Sequence, residues 1–202
     1  MLRSVYTSLL AVLLIGVPLA AGPAPQTRQT PQTPQKKKAP VNANAAVMVD
    51  FQKRIDAYVA LHRKLEATLP KLSTQTNPHE IDAHERALGK LMQEGRKTAK
   101  PGDIFTPAMQ RVIRTLFKPI FAGPEGTQIK NEILDKEYKG NAKLVVNARY
   151  PDDVPVSTMP PQVLALLPKL PEELEYRFIQ NSLILFDSHA HVIVDFMDRA
   201  FL

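Results

Sequence analysis

The sequence contains no cysteine. That absence removes disulfides, thiolate metal sites, cysteine nucleophiles and a lipidated cysteine anchor together. Glycine is scarce too, with 8 glycines against 18 prolines, and no glycine-rich run forms a phosphate-cradling loop. Gly-x-Ser-x-Gly and Ser-x-x-Lys, which carry serine nucleophiles in several hydrolase classes, are missing as well. The chain is therefore expected not to be an enzyme and to need no cofactor. The net charge is +6, yet Arg3, Arg28 and Lys36–Lys38 account for five of those charges, and no acid lies among them. What remains is close to neutral, so nucleic acid is not an expected partner.

What is present begins with "MLRSVYTSLLAVLLIGVPLAAG", Met1–Gly22. One early arginine, a short apolar core and small residues at Ala20, Ala21 and Gly22 have the layout of a secretory signal peptide. The apolar run is short for the roughly 20 residues of a membrane span. No stable transmembrane segment is expected after cleavage, and retention as an anchor is the alternative. The expected location is periplasmic or secreted, and the lack of cysteine suits a bacterial envelope protein. Pro23–Ala45 repeats a Gln-Thr-Pro theme almost without large apolar residues, the composition of a disordered linker.

A single α+β domain is expected over 46–202, helical over 46–140 and β-rich over 141–202. Phe51, Ile55, Tyr58, Val59, His62, Leu65 and Leu69 recur at helical spacing, with Lys53, Arg54, Arg63, Lys64 and Glu66 assigned to the other face. Asn77-Pro78 starts a second helix and Thr106-Pro107 a third, while Thr127 is the expected cap of a shorter fourth. Three to four helices should thus pack on a small antiparallel β-meander. Its strands fall around Leu174–Phe178, Leu183–Asp187 and Val192–Met197, joined by a further strand near Val145.

Asp187-x-His189-x-His191 is the sharpest candidate site. On a strand, i and i+2 share a face, so both imidazoles and the Asp187 carboxylate could hold one metal ion. The bland alternative is a four-residue hairpin turn that happens to carry histidines. An apolar run ending in this motif also resembles the opening of an amidohydrolase metal site. Only eleven residues follow His191, too few for the barrel of about 250 residues that such a site belongs to. "PHEIDAHE" misses the zinc-protease spacing, because His79 and His84 are five apart and diverge by about 140° on a helix. An encounter of His62 with His84 between two helices is a reading that nothing in the spacing prompts. Asp153, Ser157 and Thr158, in the proline-rich stretch Pro151–Pro161, form a candidate loop for a protein or cell-envelope partner. Ordinary turn chemistry is the alternative there. Asp195 and Asp198 read as charges protecting a sheet edge.

Taken together, "YVALHRKLE", "KPGDIFTP", "PVSTMPPQVLALLPKLPEELEYRFI" and "LILFDSHAHVIVDF" resemble a set of secreted bacterial proteins with the same layout and no assigned activity. The resemblance implies export and carries no activity; the expected function is a binding or structural interaction module of the envelope. Glu175 to Asp195 is also similar to the closing hairpin of small periplasmic proteins linked to nickel and cobalt homeostasis. That likeness implies the second reading, a zinc, nickel or cobalt binder, and transfers no ligand residue.

Overall fold

The computed structural model describes residues 43–73, 75–134, 143–152, 154 and 159–201, all within the unit Ala39–Leu202. The expected leader Met1–Gly22, most of the expected linker Pro23–Ala45 and the loop residues Asp153, Ser157 and Thr158 lie outside them. Among the described residues, five helices and three strands follow in the order α1 (Ala43–Glu66), α2 (Pro78–Gly95), α3 (Pro107–Phe121), α4 (Gly126–Ile133), α5 (Pro161–Leu164), β1 (Leu174–Ile179), β2 (Ser182–Asp187) and β3 (Val192–Met197). The protein is an α+β domain whose helices pack on a small C-terminal antiparallel sheet of order β1-β2-β3.

Local chemistry explains the helix starts. The Asn77 side chain accepts from the Glu80 N–H at 3.0 Å, and the Glu80 carboxylate accepts from the Asn77 N–H at 3.3 Å. That reciprocal box and Pro78 open α2. Thr106 caps α3 through the Met109 N–H. The expected Thr127 cap is not used: α4 starts at Gly126 with Glu125 in the cap position and no side-chain cap. A side chain at residue 126 would overlap the Phe121 carbonyl, so the tightness of the turn sets this start.

The strand expected near Val145 is reduced to one bridge between Arg149 and Val192. Asn147 adopts φ 65°, a left-handed residue that interrupts an extended run. Its amide instead donates to the Gln93 and Arg96 carbonyls at 2.9 and 3.2 Å, closing the end of α2. The segment still covers the sheet. Tyr150 and Val154 pack on Ile184, Phe186 and Ile193 on one face. On the other face Leu174, Tyr176, Leu183, Leu185 and Val192 meet Phe51, Ile55, Leu88 and Met109 of the helices. β2 is consequently buried along its whole length.

Asp195 corrects a sequence expectation. It is fully buried and holds the turn before α3, accepting from the N–H groups of Gly102, Ile104 and Phe105 at 3.0, 2.8 and 2.7 Å. Strict alternation from Val192 and Val194 would point it outward. The register shifts between Leu185 and Phe186, however, so that Leu185 pairs with Asp195 and Phe186 with Ile193. Val194 is the extra residue of a bulge, and the bulge turns Asp195 inward.

Substituting Asp195→Ala strands two buried amides, each worth about 1–3 kcal/mol. Denaturant unfolding should show a loss of about 3 kcal/mol or more, whereas Asp198→Ala, at an exposed position where the carboxylate accepts the Ser182 hydroxyl at 2.9 Å, should cost about 1 kcal/mol.

Candidate metal centre

Asp187 ends β2 and is fully buried. A buried carboxylate requires hydrogen-bond donors on both oxygens. Oδ1 accepts from the backbone N–H groups of His189 and Ala190 at 3.0 and 2.8 Å, which folds the four-residue turn back on the strand. Oδ2 receives the Tyr58 hydroxyl at 2.6 Å and lies 2.6 Å from His62 Nδ1. Tyr58 and His62 both come from α1 and are likewise buried. Tyr58, His62 and Glu66 stand at i, i+4 and i+8, a stripe that runs along one helix face. Packing Tyr58 and His62 onto the hairpin mouth therefore brings Glu66 over it as well.

With Nδ1 committed to Asp187, the other ring nitrogen of His62 has a fixed direction. Nε2 is buried without a hydrogen-bond partner, 3.4 Å from Glu66 Oε2. Glu66 Oε1 faces two more rings: His189 Nδ1 at 3.6 Å and His84 Nε2, from α2, at 3.8 Å. One ligand atom each from His62, Glu66 and His189 lies within 4.8 Å of the other two. Three of the chain's five histidines thus surround one carboxylate.

Charge around the centre favours a cation. Burial, the largest influence on His62, lowers its pKa, but the hydrogen bond and charge of Asp187, with Glu66 and Glu173, more than reverse this and raise it above 6.5. Glu173 is buried beside the centre and paired with Arg63 at 2.5 Å. Burial and the Asp187 charge push the Tyr58 hydroxyl well above 10, so it stays protonated and donates. The Arg96 guanidinium lies 4.9 Å from the centre of the Tyr58 ring and supports the far side of the same residue.

The structure separates the expected Asp187, His189 and His191 set. His189 turns toward Glu66, whereas the His191 ring stands edge-on to Tyr150 and Phe186. His191 Nδ1 and Nε2 are each 3.9 Å from an acid, Glu85 and Asp152 respectively. The two histidines sit in a turn, and His191 has φ 52°, so the i and i+2 rule for strands does not apply. Asp187 orients a histidine instead of joining His191 at an ion. His62 was missed as a partner of Asp187 because that contact spans 125 residues; His62 and His84, whose encounter nothing in the spacing prompts, both face Glu66. Glu66 had been assigned to the solvent face, although residue i+4 from a buried His62 shares its side. The Tyr-x₃-His-x₃-Glu spacing was the available signal.

Fold and centre together define a small α+β domain with a histidine–carboxylate cluster at a hairpin mouth. Comparisons with protein-family models, curated proteins and solved structures find no match to this chain.

Buried His62 and half-buried His191 should have pKa values shifted in opposite directions in chelator-treated protein. His62 is raised above 6.5; His191 is lowered by burial, then by Arg149. The His62 contribution to stability is complete below about pH 6.5 and fades as pH rises through its folded value. The His191 contribution is present above that pH and fades on acidification. Histidine Cε1–H shifts followed by NMR should place His62 above and His191 below the unfolded value.

Proposed function

We propose that this domain binds a divalent transition-metal ion in the bacterial envelope, acting by binding and not by turnover. His62 Nε2, Glu66 and His189 are the ligands of this reading. The observation that carries it is the His62 imidazole: a buried ring, held at Nδ1 by Asp187, with Nε2 presented to a carboxylate and without a hydrogen-bond partner. A carboxylate behind a metal-binding imidazole fixes its tautomer and raises its basicity. Nitrogen and carboxylate donors suit zinc, nickel or cobalt; magnesium and calcium prefer all-oxygen shells. The leader Met1–Gly22 supports placing that activity outside the cytoplasm. No described helix is long and apolar enough to cross a membrane.

Isothermal titration of chelator-treated protein with zinc, nickel and cobalt tests this reading. One ion should bind per chain at low micromolar concentration or tighter, with proton release as His62 gives up its second proton. His62→Ala and Glu66→Ala should abolish binding. Asp187→Asn should weaken it by about 10–100-fold, and His191→Ala should leave it unchanged. A wild-type protein giving no saturable heat with any of the three ions overturns the proposal.

A further inference from the structure

We infer that His84 is a fourth ligand and that the site is a closed, tetrahedral zinc site that ties three parts of the fold together. This rests on the metal-binding reading above and goes beyond it by fixing the ligand number and the metal. Tetrahedral bonds of about 2.0–2.1 Å place ligand atoms about 3.3–3.4 Å apart. His62 Nε2 is 3.4 Å from Glu66 Oε2, whereas His189 Nδ1 and His84 Nε2 are 3.6 and 3.8 Å from Glu66 Oε1, so three rings approach the two oxygens of one carboxylate at distances near that spacing. The group whose ligand atoms all lie within 4.8 Å of one another is His62, Glu66 and His189, without His84, so ligation by His84 requires its ring to move toward the other two imidazoles. Its side chain is 10% exposed, so its orientation toward Glu66 is a packed one.

Three imidazoles and one carboxylate make a donor set that zinc takes readily and that calcium and magnesium do not. The four donors come from three parts of the fold: His62 and Glu66 from α1, His84 from α2, and His189 from the β2–β3 turn. Four protein ligands leave no open position for substrate, which is the pattern of structural zinc and not of catalytic zinc. An ion enters on the side where His189 and Glu66 are partly exposed, at 41% and 35%. Close packing of α2 against the same turn supports the arrangement, since a side chain at Gly89 would come within 2.8 Å of the Ala190 carbonyl.

Cobalt(II) replaces zinc in such sites and reports coordination through its visible absorption, strong for four-coordinate and weak for six-coordinate ions. The full chain loaded with cobalt should give the strong band, and one equivalent of zinc should bleach it. His84→Ala should still bind cobalt, but with a weaker band and a zinc affinity at least 10-fold lower. His79→Ala, on the same helix but exposed, should match the wild type. Circular dichroism of each variant controls for folding. An unchanged spectrum and unchanged zinc affinity in His84→Ala removes His84 as a ligand while leaving a three-residue metal site standing. A weak band in the wild type overturns the tetrahedral site. Absence of both cobalt and zinc binding in the wild type sinks the metal-binding reading itself.

Discussion

Burial of the Asp187 carboxylate is the constraint on which the site depends. A carboxylate taken out of water at the end of a strand must find donors for both oxygens, and here it finds four: two backbone amides of its own turn, one phenol and one imidazole. The amides shape the turn that carries His189. The phenol and imidazole fix the rotation and the longitudinal position of α1 on the sheet. Removing either partner of such a buried pair leaves the other uncompensated, at a cost of about 3–5 kcal/mol. The pair therefore specifies one docking of α1, and Glu66, one turn beyond His62, is carried to a fixed place above the hairpin.

The same constraint links packing to chemistry. An imidazole has two nitrogens, and occupying one with a carboxylate sets the direction and the basicity of the other. His62 Nε2 is turned toward Glu66 for that reason. Glu173, paired with Arg63, adds negative charge nearby, so the surroundings favour a cation over a neutral ring left alone. His191, only two residues beyond His189, lies in a different environment, against Tyr150 and Phe186, where burial and then Arg149 lower its pKa.

Much of the fold was legible because its signals are local. Asn77-Pro78 and Thr106-Pro107 mark helix starts through capping, and the spacing of Phe51, Ile55, Tyr58 and Val59 marks a buried face. The three strands stand where alternating and apolar runs place them. What failed was non-local or broke a period. Asn147 enters the left-handed region to cap α2 and so ends a strand before it forms. A bulge reverses the alternation at Asp195 and converts an apparent edge charge into an internal acceptor for three amides. The site was half legible. Asp187 and His189 stood out as a motif, but their partners lie more than a hundred residues away on a helix whose polar and apolar faces meet at Glu66. The Asp-x-His-x-His spacing singled out the turn, whereas the structure turns the His191 ring away, against Tyr150 and Phe186.

The central claim is that Asp187 aims His62 at an ion held with Glu66 and His189. Anomalous diffraction at the zinc edge from crystals of the zinc-loaded protein tests it most directly. The account predicts one strong peak about 2.0–2.1 Å from His62 Nε2, also bonded to Glu66 and His189, with His62 Nδ1 still on Asp187. A peak between Asp187 and His191, or no ordered zinc near His62, would contradict it.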